Sequence, residues 1–450
     1  MASVRGVLAV CLGLAVLSGC GAKAGQDAVA TGRRPVATTA AAAAPTPSAP
    51  RADFTYGFDF SSQEPDLPSS PGGRGNLAVP VAAARRVMAS LPGLMADQSI
   101  WGFGILGSPE PSPGVFRLGP LATRIAMIQA AGDTPVITLV AAPNWMKTGG
   151  ARPGGSLFST PPSPDHFGDF AALAAHIAQA FPQVRYFVVW SEVRGFYSPA
   201  RHTWDYQAYT AMYNDVYRAI KRVRPDAMVG GPYADLHAMP TPIRGVPSAV
   251  HGPWGYVDQG MLDTLTYWLA HKAGADFVAV DGATAVATTG DAALMNPVTE
   301  ASQYAALDAW IRARTNLPIW WMESHIQPAT GWSPAQAAAA RIATLAEMAA
   351  SGARVGMQWQ PQQQAGWPDE GLWTSTRVAG GGQPTLLAKD LPAVLPILAD
   401  RPMLVANEPA GVLVAHDAAG TLSVNTTDSV ARTAAGVALQ PGEVLAVHGA

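Results

Sequence analysis

Beyond residue 53 the chain alternates short, continuously apolar runs with loops rich in proline and glycine and with stretches of helical periodicity. The runs span 54–60, 100–105, 135–141, 184–190, 227–231, 277–280, 318–322 and 354–359. Apolar runs without polar alternation are what a parallel sheet covered on both faces requires. Between them, Phe167, Phe170, Ala174, Ile177, Ala178 and Phe181 fall on one helical face that Pro182 ends. Tyr206, Tyr209, Tyr213, Val216, Ile220 and Val223 form another, closed by Pro225. Ser333 and Gln336 flank Pro334 in a capping-box pattern, and Gly352 stands where a left-handed residue should stop that helix. Strand and helix therefore repeat eight times, the count of a (β/α)8 TIM barrel; a doubly wound open sheet is the structural alternative.

After a closing helix over 391–398 the pattern changes. Strands are predicted over 411–416, 422–426, 436–439 and 443–447, separated by turns at Asp417 to Gly420 and at Pro441-Gly442. Some fifty residues cannot build a core alone, so 401–450 should be a small β-sandwich-like unit packed on a barrel over 52–400. At the other end, Arg5, the apolar stretch 7–17 and Leu17-Ser18-Gly19-Cys20 read as a lipoprotein signal over 1–19. Cleavage would remove Cys11 and leave Cys20 to carry lipid, followed by an Ala- and Pro-rich flexible linker over 20–51. The expected location is extracytoplasmic, anchored to a bacterial cell membrane through that lipid.

Composition narrows the function classes. Charged residues make up 14% and the net charge is −3, which gives no electrostatic footprint for nucleic acid. Hydrophobic residues at 48% supply a large core. With Cys11 removed in the leader and Cys20 carrying lipid, no thiol would remain for a disulfide, a metal or a nucleophile. Nine histidines show no His-Glu-x-x-His pattern, so sequence motifs imply neither metal nor cofactor. Gly102 to Gly107 matches a dinucleotide fingerprint on paper, but Pro109, Pro111 and Pro113 follow where a helix must open. Thirteen tryptophans offer flat apolar faces of the kind that stack on sugars, Trp145 and Trp359 being placed at strand ends.

Chemistry in such a barrel lies at the C-terminal ends of the strands. Glu192 follows the fourth run in Trp190-Ser191-Glu192, and Glu323 the seventh in Trp321-Met322-Glu323. Cleaving an acetal needs one carboxyl that stays protonated and one that is ionised, which only two acids in different surroundings provide.

At these residues the sequence resembles the clan A glycoside hydrolases, nearest to the family 39, β-xylosidase-like type. The resemblance rests on Ala142-Pro143-Asn144-Trp145, Trp190-Ser191-Glu192 with Gly195-Phe196-Tyr197, Gly230-Gly231-Pro232, and Trp321-Met322-Glu323. It implies Glu192 as acid/base, Glu323 as nucleophile of a retaining double displacement with carboxyls about 5 to 5.5 Å apart, and Trp359 as the floor under the sugar. Asn144, Trp145, Ser191, Tyr233, Asp281 and His325 are the other residues expected to line the substrate site, with no metal and with a monomeric chain acting on an oligo- or polysaccharide. The chain departs from the clan in having Ser191 where an asparagine usually precedes the acid/base, and Val280-Asp281-Gly282 where a His-x-Tyr pattern usually follows strand six. A catalytically inactive glycan-binding barrel and a solute-binding lipoprotein are the alternatives in other classes.

Overall fold

The computed structural model describes residues 54–60, 66–69, 73–147, 157–283, 297–326, 332–363, 371–399, 404–408 and 411–449. The predicted signal, Cys20 and the linker lie outside them. The eight barrel strands are β1 (Thr55–Asp59), β2 (Met95–Ser99), β3 (Thr134–Leu139), β4 (Tyr186–Val189), β5 (Met228–Asp235), β6 (Phe277–Ala283), β7 (Ile319–His325) and β8 (Val355–Trp359). They close into one parallel barrel in chain order, β8 pairing back onto β1 through Thr55 opposite Val355. Each strand is followed by a helix: α1 (Ala78–Ala89), α2 (Gly119–Ala130), α3 (Phe167–Ala180), α4 (Tyr206–Val223), α5 (Gln259–His271), α6 (Pro297–Arg312), α7 (Pro334–Ser351) and α8 (Leu386–Ala399).

Local signals place several of these ends. The Asp205 carboxylate accepts from the Ala208 amide at the start of α4, and Asp258 does the same for Gly260 at α5. Ser333 and Gln336 form a complete capping box on α7, and Gly352 ends that helix at φ +88°. Gly230 is required by packing, because a Cβ there would stand 2.1 Å from the Phe277 ring.

One strand was misplaced by hydrophobicity. The second strand is Met95–Ser99 and not 100–105, because its inward and outward faces are both polar. Asp97 accepts from the Thr138 hydroxyl at 2.7 and 2.8 Å, and Gln98 accepts from Arg124 of α2 at 3.1 Å. Buried polar side chains satisfied in this way are invisible to an apolar-run search, whereas Ile100 and Ile105 are buried in the loop that follows. The closing helix also begins at Leu386, five residues before the predicted 391.

The apolar interior has two parts. A large layer lies between strands and helices. A smaller cluster of Met95, Val136, Val188, Phe277, Trp320, Met322 and Met357, all strand residues, fills the inside of the barrel. Above it, toward the C-terminal ends, the inward positions become acidic: Asp59, Asp97, Asp281 and Glu323 are all buried.

The C-terminal chain adds an antiparallel sheet of β9 (Leu404–Glu408), β10 (Val412–His416), β11 (Gly420–Asn425) and β12 (Val444–His448), in that order. It packs on α7 and α8. The strand over 404–408 was not anticipated, and the predicted 436–439 segment is a short ladder of Ala438–Leu439 with Ala431–Arg432 outside the main sheet. The Pro441-Gly442 turn rests on the start of α7, where a Cβ on Gly442 would meet the Ala335 backbone at 2.5 Å.

Candidate active site

The end of β4 turns sharply. Trp190, Glu192 and Val193 hold φ values of +69°, +52° and +53°, a conformation that costs a non-glycine residue about 1–2 kcal/mol. Local bonds hold it: the Trp190 indole donates to the Arg194 carbonyl at 2.8 Å, and the Arg194 amide donates to the Ser191 carbonyl at 3.0 Å. The result aims Glu192 inward and folds Arg194 back onto it. The guanidinium clamps the carboxylate through two donors, Nε to Oε2 at 2.6 Å and Nη2 to Oε1. Ser191 is buried beside it.

Bulges aim the other side chains. On β7, Trp321 pairs with Val280 and Glu323 with Asp281, so Met322 is the extra residue. Met322 joins the cluster inside the barrel, and the extra residue turns Glu323 inward as well. On β5, Pro232 pairs with Ala279 and Ala234 with Val280, which leaves Tyr233 as the bulged residue at φ +56°. Its phenol donates to Glu323 Oε2 at 3.0 Å, while His325 Nε2 stands 2.8 Å from Glu323 Oε1. Asp281 lies close by, 3.3 Å from His237 Nε2. One oxygen from each of Glu192, Asp281 and Glu323 lies within 4.8 Å of the others.

The two glutamates therefore stand together and in different surroundings. Burial pushes Glu192 up to about 7, with Arg194 pulling down and the Glu323 and Asp235 charges pushing further up. Burial would also raise Glu323, but the His325 hydrogen bond and charge, Arg194 and the Tyr233 phenol outweigh it and hold the carboxyl below its ordinary value. Burial together with the neighbouring carboxylates raises Asp59 and Asp281 well above theirs, and burial carries Asp97 to about 7 against its bonds from Thr138. Burial would lower His237, yet Asp235 and Asp281 hold it well above its usual value.

Of the anticipated residues, Glu192, Glu323, Ser191, Tyr233, Asp281 and His325 come together, and Trp359 joins them with its ring 4.8 Å from that of His325. Tyr233 is buried, and its described hydroxyl partner is Glu323, so it orients a carboxylate where a sugar contact was expected. Asn144 and Trp145 open a short turn after β3; Asn144 is exposed, while the Trp145 indole donates to the Glu110 carbonyl at 2.9 Å and its ring meets His166 edge-on. Sequence reasoning missed Arg194, His237, Asp59 and Asp97. Arg194, two residues past a proposed acid, carried a readable signal; Asp97 was lost with the misplaced strand.

Solved structures with this fold carry the same architecture at low identity. One is a family 39 glycoside hydrolase from the gut symbiont Bacteroides cellulosilyticus WH2, at 15% identity and TM-score 0.53, covering 78% of this chain and 68% of that one. A monomeric β-xylosidase from Caulobacter crescentus CB15 is 17% identical with TM-score 0.52, covering 83% and 74%. A glucosidase from Croceicoccus marinus is 13% identical with TM-score 0.51, covering 87% and 80%. These structural neighbours are glycoside hydrolases. No family model and no curated sequence matches the chain.

Proposed function

We propose that this chain is a retaining glycoside hydrolase that cleaves O-glycosidic bonds of an oligo- or polysaccharide by double displacement. The observation that carries the reading is the glutamate pair: oxygens within 4.8 Å of each other, one carboxyl pushed up to about 7 and the other held low. Glu323, ionised and oriented by Tyr233 and His325, attacks the anomeric carbon; Glu192 gives its proton to the departing oxygen, so that the glycosidic bond breaks as the glycosyl ester forms. Glu192, now ionised, takes a proton from water, whose oxygen replaces Glu323 at the anomeric carbon. A pair of oxygens no more than 4.8 Å apart favours retention, for which the carboxyls stand about 5 to 5.5 Å apart, over inversion at roughly 6.5 to 9.5 Å. Trp359 would form the aromatic floor. The names of the structural neighbours make aryl β-xylosides and aryl glucosides the first substrates to assay.

The test is kinetic. Glu323→Ala should abolish the covalent glycosyl-enzyme, and Glu192→Ala should spare aryl glycosides whose leaving group needs no proton, with azide restoring turnover of the trapped intermediate. Full activity of Glu323→Ala on a confirmed substrate would refute the roles. The Arg194 clamp on Glu192 favours one second reading, a glycan-binding barrel without turnover, for which calorimetry would show glycan binding and the mass spectrum no glycosyl adduct. We place the mature chain as a monomer outside the cytoplasm, tethered by lipid on Cys20 through the 20–51 linker; Cys20→Ala should then abolish detergent partitioning, and unchanged partitioning would sink the anchor.

A further inference from the structure

A second constellation shares Asp281. His237, Asp281 and His325 each offer a donor atom, and the three atoms lie within 4.8 Å of one another. We propose that these residues bind a divalent transition-metal cation, zinc above all, and that its occupancy switches the enzyme off. The switch rests on the hydrolase reading given above; the ion site does not.

Two neutral imidazoles and one ionised carboxylate are the nitrogen and oxygen donors zinc takes, so binding would release the protons that their surroundings favour on His237 and Asp281, and three protein ligands leave a fourth position for water. Two donors on a tetrahedral zinc stand roughly 3.4 Å apart for bonds of about 2.0–2.2 Å, and His237 Nε2 lies 3.3 Å from Asp281 Oδ1. Asp281 Oδ2 is buried with no hydrogen-bond partner among the described residues, so the carboxylate has unused acceptor capacity. The other ring nitrogen of His237 is 3.5 Å from Asp235 Oδ1, the outer carboxylate that commonly orients a ligating histidine. The ligands come from the ends of three adjacent strands, and the Leu236 amide ties the His237 loop to the Asp281 carbonyl at 2.9 Å. An entry path exists, since the His237 side chain is 34% exposed while Asp281 is 1% exposed.

An ion there would share His325 with Glu323, whose Oε1 is 2.8 Å from His325 Nε2. A dication at that position stabilises the Glu323 carboxylate and weakens its attack. It also opposes the positive charge that develops at the anomeric carbon in the transition state.

The experiment uses the chain after chelator treatment and gel filtration. Calorimetry with zinc chloride, and metal analysis after desalting, should give one zinc per chain; magnesium, which prefers six oxygen ligands, should not bind. His237→Gln and Asp281→Asn should each weaken zinc binding by more than about tenfold, while His416→Gln, exposed at the end of an inner strand of the C-terminal sheet, should leave it intact. With whichever aryl glycoside is hydrolysed, zinc should stop turnover and a chelator restore it, and the ratio of rates with and without zinc should return to one in His237→Gln. Zinc binding that the His237 and Asp281 variants leave unchanged, or no binding at all, overturns the site. Zinc bound through these residues with turnover unaffected overturns the switch. Zinc bound with no glycoside hydrolysed leaves the site standing and removes the hydrolase reading instead. Should a variant lose its far-UV circular dichroism, zinc protection of His237 and His325 from diethyl pyrocarbonate in the wild-type chain decides the same question, and absence of protection overturns it.

Discussion

Replacing Arg194 by methionine keeps the length and apolar stem of the side chain and removes only its charge and donors. Arg194 holds Glu192 through a bidentate pair, with the carboxylate side chain 13% and the guanidinium 26% exposed. Two unit charges about 4 Å apart attract by roughly 4 kcal/mol at an effective dielectric of about 20, an upper bound of some 3 pH units at about 1.36 kcal/mol each. Partial exposure of the guanidinium screens this to about 1–2 units. The sign follows from what remains: burial and the charges of Glu323 and Asp235 all raise Glu192, and Arg194 opposes them. Without it the carboxyl should rise above its present value near 7.

If Glu192 is the general acid, the basic limb of kcat/KM against pH reports its loss of a proton. The Arg194→Met limb should therefore move upward by about 1–2 pH units, with the acidic limb moving less, because Glu323 also loses a nearby cation. The assay is a pH series on an aryl glycoside with a poor leaving group, for which protonation limits the rate. A basic limb that stays in place or moves downward would refute the assignment of Glu192 as the acid, or the claim that Arg194 holds its proton affinity down.

Tyr233→Phe removes one donor to a charged carboxylate, a bond contributing about 1.5–3 kcal/mol, so kcat should fall roughly ten- to hundredfold; an unchanged kcat would make the 3.0 Å contact incidental. Asp97 has its folded-state value raised from 3.8 to about 7, so the stability it contributes is fully present below pH 3.8 and is lost as pH rises through about 7. Three units amount to about 4 kcal/mol, and Asp97→Asn should flatten the fall in urea-unfolding free energy across that window; an undiminished slope would show that Asp97 is not its source. Ser333→Ala breaks the capping box of α7 and should cost about 1 kcal/mol in the same assay without altering kinetics. Ser191→Asn restores the amide common in the resembling clan and should change substrate preference more than melting temperature.

The architecture was legible because its signals are local. Runs over 54–60, 184–190 and 354–359 each contain the observed strand, and the α7 capping box and Gly352 stop were written in adjacent residues. What failed was whatever depends on partners distant in sequence. Asp97 and Gln98 are tolerable inside β2 only because Thr138 and Arg124 bond them, from 41 and 26 residues away. Tyr233 reaches Glu323 only because β5 is bulged, and no pattern of apolar positions reveals an extra residue in a parallel strand. The glutamates themselves were found by their place after runs four and seven; the clamp, the bulges and the acidic neighbours that set their protonation were not.

Those acidic neighbours set how charge divides between the two glutamates. Five carboxyls, from Asp59, Asp97, Glu192, Asp281 and Glu323, converge on one end of the barrel, and burial and mutual repulsion forbid that all ionise together. The negative charge settles where donors are concentrated. Glu323 has the Tyr233 phenol on one oxygen and His325 on the other, and its value is held low. Every charge it keeps raises the others: the Glu323 carboxylate contributes to the upward shift of Asp59, Asp97, Asp281 and Glu192. A protonated Glu192 is thus partly a consequence of an ionised Glu323, and the two roles proposed for the pair rest on one electrostatic balance. Moving a donor from Glu323 to Glu192 should lower Glu192 and raise Glu323, reversing the division of charge on which the proposed roles rest.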